Sequence, residues 1–285
     1  MNEPTVVDTA TLEPGLQALP GYRLRRLLGS GGFAQVWEAE TDDGQRVALK
    51  FLPCSEGRHP SEEIRALQAI RTLKHPNLVR IDQVCCHDGH IVIAMEKADG
   101  SLSDLMESYR VQTGRPIGRE HLILLMSEAA TALDFLNKRQ HRLNGQCVAI
   151  QHCDVKPGNM LLFGDAVKLT DFGLSSWMSG NMKTHRRAGT LDYTAPEVFQ
   201  GRLSQWTDQY SLAVTYCHLR LGILPFSDTP TSFRPDYVRP KPNLTGLAAR
   251  EGPILARALA SIPKDRWPTC SELVDRLAEA VLTGP

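Results

Sequence analysis

Residues 150–173 read IQHCDVKPGNMLLFGDAVKLTDFG and contain several polar residues that alternate with apolar runs. Three polar residues, Asp154, Lys156 and Asn159, form a short loop between an apolar run and two strand-like segments that a Gly-Asp turn joins. Such a hairpin returns the chain on itself, so that Asp171, beyond the second strand, can approach Asp154 and Asn159. An amide and a carboxylate that can share a divalent ion, beside a second carboxylate that can take up a proton, favour phosphoryl transfer.

The same stretch resembles the catalytic loop and metal-binding motif of protein kinases, H-R-D-x-x-x-x-N followed by D-F-G. An isolated D-F-G would also fit a hairpin with solvated acidic residues, whereas the ordered set with this spacing is specific. The matching residues are His152, Cys153, Asp154, Asn159, Asp171, Phe172 and Gly173.

The resemblance implies a role for each polar residue of the stretch. Asp154 would orient the substrate hydroxyl and accept its proton, and Lys156 would neutralise charge on the γ-phosphate of ATP. Asn159 and Asp171 would hold Mg²⁺ or Mn²⁺. The lysine two residues after the aspartate is the pattern of serine/threonine kinases. Cys153 replaces the arginine that binds a phosphorylated activation loop in the family, so we expect weak dependence on such phosphorylation.

Composition bounds the class of protein. With 42% hydrophobic and 22% charged residues, the 285-residue chain can bury a full core in one large domain or two small ones. Its net charge of zero argues against bulk binding to nucleic acid or to an anionic membrane. The seven cysteines match no zinc pattern and indicate a cytoplasmic protein. No run is long enough to span a membrane, and residues 1–20 predict a loosely ordered lead-in without a signal peptide.

A glycine-rich hairpin joins the first two of three antiparallel strands predicted between residues 22 and 52. Glycines let backbone N–H groups approach a phosphate with no Cβ in the way. The hairpin resembles the kinase pattern G-x-G-x-x-G-x-V, with Ala34 in place of the third glycine. The resemblance implies nucleotide contacts from Leu28, Gly29, Ser30, Gly31, Gly32, Phe33 and Val36.

A lysine ends the buried run of the third strand, Val-Ala-Leu-Lys, which is close to the kinase V-A-I-K. A buried ammonium group needs an anionic partner, so Lys50 is expected to pair with phosphate and with a glutamate on the following helix, predicted over residues 61–73. Glu63 lies on the apolar side of that helix and is the preferred partner, with Glu62 as the alternative. Many kinases would place this glutamate at position 66, where Ala66 stands.

Residues 91–102 resemble the last strand and hinge of the small kinase lobe. Met95 would guard the pocket behind the adenine, and the backbone from Glu96 to Ala98 would meet the adenine edge. Ala48 and Leu161 complete this predicted adenine site. The lobe boundary is predicted near Asp99-Gly100, giving a small lobe over residues 21–98 and a large lobe over residues 99–283.

The segment after D-F-G runs to residue 194 and is followed by Ala-Pro-Glu at residues 195–197, as the activation segment of the family is. The resemblance implies that Thr190 bridges Asp154 and Lys156, and that Arg266 pairs with Glu197. It also implies that Asp208 holds the backbone of the catalytic loop.

The sequence therefore predicts an α+β protein with a two-lobed protein kinase fold: a small antiparallel β lobe with one helix, and a larger, mainly α-helical lobe. ATP would bind in the cleft, and protein serine or threonine hydroxyl groups would receive its γ-phosphate. One alternative is a pseudokinase that serves as an ATP-binding scaffold or regulatory module, and another is a kinase of small molecules. No nucleic-acid partner and no membrane segment are expected, and the oligomeric state stays open.

Overall fold

The computed structural model describes residues 12–31, 34–54, 60–143, 146–172, 191–228 and 230–282. The chain separates into two compact units. The first comprises Met1–Lys74 and Arg80–Lys97, and the second comprises His75–Val79 and Ala98–Pro285. The predicted division into a small β-rich unit and a larger helical unit is confirmed, with Ala98 on the far side of the expected boundary.

The small unit is a five-stranded antiparallel sheet in the order β1-β2-β3-β5-β4, with one helix. Strands β3 and β5 occupy the middle of the sheet and are buried on both faces, so their sequences read as continuous apolar runs. The elements are β1 (Tyr22–Gly31), β2 (Ala34–Thr41), β3 (Arg46–Pro53), α1 (Pro60–Arg71), β4 (Ile81–His87) and β5 (His90–Glu96).

The segment just before β1 packs against the sheet. The N–H of Gly15 donates to the carbonyl oxygen of Leu24 at 2.8 Å, and the N–H of Leu24 donates to that of Leu16 at 2.9 Å. Ala18 and Leu19 are buried in the cluster that includes Leu24. We expected residues 1–20 to be a loose lead-in, but residues 12–20 contribute apolar side chains to this core, and residues 1–11 lie outside the described part.

The large unit is mainly helical, with two small sheets of strands β6-β9-β10 and β7-β8. The hairpin β7-β8 lies between α3 and the loop that carries Asp154. The elements are β6 (Gly100–Ser101), α2 (Leu102–Thr113), α3 (Arg119–Asn137), β7 (His141–Leu143), β8 (Gln146–Val148), β9 (Met160–Phe163), β10 (Ala166–Leu169), α4 (Pro196–Phe199), α5 (Thr207–Leu221), α6 (Glu251–Ala258) and α7 (Cys270–Leu282).

Local sequence explains where these helices begin and end. Ser101 caps α2 in a capping box with Asp104, and Gly114 ends the helix with a φ of 64°. Helix α3 buries the whole stripe of apolar side chains that its periodicity predicts. None of the helices in the described ranges is long and apolar enough to cross a membrane.

We predict that Leu19→Ala lowers the stability of the small unit by about 2–4 kcal/mol, because the truncation leaves a cavity beneath the sheet. Urea denaturation followed by tryptophan fluorescence measures the loss, since Trp37 lies in the same cluster. The matched control is Gln17→Ala, two residues earlier at an exposed position. Equal midpoints for the two variants would contradict the packing of this segment.

Candidate active site

The loop that carries Asp154 is held by a carboxylate from helix α5. The backbone N–H groups of His152 and Cys153 donate to Asp208 Oδ2 and Oδ1 at 2.7 and 2.8 Å. Asp208 is 4% exposed, and burial raises the pKa of its carboxyl group. The two backbone donors compensate part of this cost because they favour the charged form. The loop backbone is thus fixed from beneath, as the sequence predicted for Asp208.

Two residues of the site adopt a left-handed backbone. Cys153 and Asp171 both have a φ of 62°, which costs of order 1–3 kcal/mol for a residue other than glycine and persists only where the surroundings impose it. For Cys153, this backbone conformation is imposed by the two hydrogen bonds that Asp208 accepts from the N–H groups of Cys153 and the preceding residue. Burial, followed by the charges of Asp208 and Asp154, raises the pKa of the Cys153 thiol well above its usual value, which disfavours the thiolate form.

Lys156 and Asn159 both donate hydrogen bonds to the carboxylate of Asp154. Lys156 Nζ donates to Asp154 Oδ1 and Oδ2 at 3.1 and 3.0 Å. Asn159 Nδ2 donates to Asp154 Oδ2 and to the Asp154 carbonyl oxygen, both at 2.8 Å. Asp154 is 4% exposed, whereas the Lys156 side chain is 24% exposed. The carboxylate is therefore fixed in orientation by a cation and by a neutral donor.

The predicted hairpin returns the chain to this carboxylate. Strands β9 and β10 pair in register from Met160 with Leu169. Beyond the last pair, the N–H of Thr170 donates to the carbonyl oxygen of Asn159 at 3.0 Å. Asp171 is the next residue, so the hairpin brings the backbone of Asp171 beside Asn159, as its sequence pattern indicated.

Further along the chain, Glu197 of α4 forms a buried ion pair. Arg266 Nη1 and Nη2 donate to Glu197 Oε1 and Oε2 at 2.9 and 2.8 Å, and Thr207 Oγ1 donates to Oε1 at 3.0 Å. Burial alone would raise the pKa of Glu197, but the hydrogen bonds and charge of Arg266 outweigh it, so the pKa is lowered. This pair was predicted.

Sequence reasoning missed Arg239, which positions the segment before α4. Its Nη2 donates to the carbonyl oxygens of Leu191 and Thr194, both at 2.7 Å, and its guanidinium group lies over the Phe226 ring at 4.8 Å. In the sequence, the one notable feature beside Arg239 is Pro240, and an arginine next to a proline does not indicate a structural role.

Four of the predicted nucleotide-binding residues share one face of the small unit's sheet. Val36 pairs with Lys50 across β2-β3, and Ala48 pairs with Met95 across β3-β5. Directly paired residues lie on the same face, as do residues two apart in a strand, so these four side chains form one surface. Lys50 is 5% exposed.

The remaining predicted site residues stand as follows. Residues 28–31 form the exposed end of β1, and Gly29 pairs with Val36. Glu96 and Ala98 are half-buried, and Leu161 is half-buried in β9. Gly32, Phe33, Thr190 and the side chain of Glu63 lie outside the described residues.

Comparison with known proteins identifies similar chains. Residues 22–275 match the protein kinase domain family. Serine/threonine-protein kinase PknF of Mycobacterium tuberculosis is 31% identical over 275 residues, which cover 90% of this chain and 56% of the relative. PknE of Mycobacterium bovis is 30% identical over 97% of this chain and 49% of its own length, and PknJ of Mycobacterium tuberculosis is 30% identical over 93% and 46%. The chain spans about half the length of these curated relatives.

We predict that the Glu197–Arg266 pair makes stability depend on pH. Because the folded pKa of Glu197 is lowered, its contribution is complete above the unfolded value near 4.5 and is lost as the pH falls through the folded pKa. The urea midpoints of wild type and Glu197→Gln should therefore differ most at neutral pH and converge in acid. A difference that stays constant or grows in acid would contradict the assignment.

Proposed function

The chain belongs to the protein kinase family, and on this premise we propose that it transfers the γ-phosphate of ATP to serine or threonine hydroxyl groups of protein substrates. The observation that carries the proposal is the buried Asp154 carboxylate, oriented by Lys156 and Asn159. The family match over residues 22–275 supports a catalytic domain at residues 21–283, with lobes at 21–98 and 99–283.

In the proposed reaction, Asp154 orients the acceptor hydroxyl and takes its proton late in the transfer. The transferred group passes through a loose transition state, so that positioning and charge stabilisation supply most of the rate. Lys156 neutralises charge that develops on the phosphate oxygens. Because its ammonium group already contacts both oxygens of Asp154, the acceptor and the phosphate would meet at one fixed point.

The donor atoms near Asp154 suit a magnesium ion. Asn159 uses its Nδ2 to bind Asp154, which leaves Oδ1 as an oxygen ligand, and Asp171 offers a carboxylate. Mg²⁺ takes oxygen ligands and is commonly held by one or two protein groups together with water and phosphate oxygens. When bound, the ion neutralises charge on the phosphates.

For nucleotide binding, we propose the sheet face that bears Val36, Ala48, Lys50 and Met95. The aliphatic members suit a flat base, and the Lys50 ammonium suits phosphate oxygens. The backbone of residues 28–33 would cover the phosphates, the backbone from Glu96 to Ala98 would bind the adenine edge, and Leu161 would contact the base. Glu63 is the proposed partner of Lys50.

Two features support serine or threonine as the acceptor. Lys156 stands two residues after Asp154, and three relatives at about 30% identity are named serine/threonine-protein kinases. We further propose that Thr190 bridges Asp154 and Lys156 through its hydroxyl group, which would favour a protein substrate over a small molecule.

We predict that Asp154→Asn lowers phosphate transfer by about 10²–10⁴-fold, because the amide cannot accept the hydroxyl proton. The measurement is transfer from γ-labelled ATP with Mg²⁺ to a protein substrate, followed by phosphoamino-acid analysis. The variant should still bind ATP.

The matched control is Asp165→Asn, the same change at an exposed turn between β9 and β10, which should leave the rate unchanged. Full turnover by Asp154→Asn would remove Asp154 from the reaction. If wild type binds ATP but labels no protein, the scaffold alternative holds instead.

We also predict that Lys50→Met lowers the transfer rate by at least about tenfold while changing the melting temperature only slightly, because methionine keeps the apolar stem and removes the charge. The control is Lys74→Met at an exposed position. A large loss of melting temperature with Lys50→Met would make this lysine chiefly structural.

A further inference from the structure

Two cysteine thiols meet at one end of the small unit's sheet. Cys54 follows β3 and Cys86 lies in β4, and their Sγ atoms are 3.8 Å apart. These strands are not neighbours, because β5 lies between them. Strands that flank a third lie about 9–10 Å apart in a regular sheet, so the thiols meet through a local departure from that spacing.

The pairing of the strands explains the meeting. Leu52 and Cys86 both pair with Ile91, so all three lie on one face of the sheet. Cys54, two residues after Leu52, returns to that face. Its N–H donates to the carbonyl oxygen of Gly89 at 2.8 Å, in the turn that precedes β5. Cys54 is therefore drawn toward the β4-β5 hairpin, past the end of the strand that would separate it from Cys86.

The adjacent Cys85 points to the opposite face. It pairs with Val92 and packs against the apolar cluster there, and burial raises the pKa of its thiol. Cys86, in contrast, is exposed, and Cys54 is half-buried. Solvent thus reaches Cys86 first, with Cys54 beside it.

We propose that Cys54 and Cys86 are a reversible oxidation site, which forms an intramolecular disulfide on reaction with a peroxide. The Cys86 thiolate attacks one peroxide oxygen, the O–O bond breaks, and a sulfenic acid forms with release of water. The Cys54 thiolate then attacks the sulfenic sulfur, so that the S–S bond forms, the S–O bond breaks and a second water leaves. The protons that the two thiols release convert the departing hydroxide groups into the two waters. Two electrons pass from the thiols to the peroxide, and a small dithiol later reduces the disulfide by thiol–disulfide exchange.

The step requires the two sulfur atoms to move closer together. A disulfide has an S–S distance of about 2.05 Å, so the sulfur atoms, which are 3.8 Å apart, must approach by roughly 2 Å, and rotation about the two Cα–Cβ bonds contributes to this approach. Because Cys86 is exposed and both residues lie at the sheet end, little packing opposes the rotation.

The bond would close a loop that contains helix α1. It would tie the end of β3, four residues after Lys50, to β4 on the face that carries Lys50. Closing a loop of about 30 residues restricts the unfolded chain and so stabilises the folded unit. The proposal does not depend on the proposed function, since it concerns the thiols and the stability of the unit alone.

The test oxidises the reduced full chain with hydrogen peroxide, alkylates remaining thiols and digests with trypsin without reductant. Arg65 and Arg71 separate Cys54 from Cys86, so the disulfide joins two peptides that dithiothreitol releases. We expect this cross-link in wild type and in the control Cys147→Ser, which removes another exposed thiol. Oxidation should raise the melting temperature of wild type by roughly 5–10 °C.

Cys86→Ser should abolish both the cross-link and the thermal shift, and Cys54→Ser should do the same. If Cys54→Ser does not fold, the result with Cys86→Ser decides, because Cys86 is exposed. Cys85→Ser should retain the cross-link. A Cys85–Cys86 bond, a link between two chains through Cys147, or overoxidation of Cys86 with Cys54 still open to alkylation would each overturn the proposal.

Discussion

A single carboxylate on a buried helix determines how the loop around Asp154 is presented. Asp208 accepts the N–H groups of two successive residues, and the second of these, Cys153, carries a left-handed backbone. Without an acceptor beneath them, both N–H groups would be buried and unsatisfied, at a cost of roughly 1–3 kcal/mol each. The raised pKa of Asp208 shows that placing this carboxylate in the interior is itself costly. Burial of Asp208 thus lowers the stability of the large unit, while its hydrogen bonds fix the orientation of one loop.

Charged side chains also hold other segments of the large unit in place. Arg266 binds the carboxylate of Glu197 in α4, and Arg239 binds two carbonyl oxygens of the segment that precedes α4. Asp134 on α3 accepts the N–H groups of Cys270 and Ser271 at the start of α7. In each case a charged side chain, buried for Arg239 and Arg266 and half-buried for Asp134, contacts backbone or carboxylate groups that are distant in the sequence. Such contacts favour the observed loop conformations, because a rearranged loop would lose these buried hydrogen bonds.

Much of this could be predicted because its signals are local. The order of the polar residues at 154–171, the apolar runs of β3 and β5 and the helical period of α3 each follow from neighbouring residues. The common face of Val36, Ala48, Lys50 and Met95 follows from strand alternation once the pairing is known.

What could not be predicted depends on distant contacts. The packing of residues 12–20 against the sheet and the role of Arg239 arise from tertiary partners that leave no periodic pattern. The Cys54–Cys86 contact also needs the strand order, because the sequence shows only the adjacent pair Cys85-Cys86.

We propose that Asp208 affects phosphate transfer by fixing the position of Asp154. A double-mutant cycle of Asp208→Asn and Asp154→Asn measures this coupling, with single-turnover phosphate transfer as the readout at a temperature where all four proteins are folded. We predict strong non-additivity: Asp208→Asn should lower the rate of the wild type but have little effect once Asp154 is replaced. Equal fold-losses in both backgrounds would contradict the claim and make Asp208 a residue that supports the fold independently of Asp154.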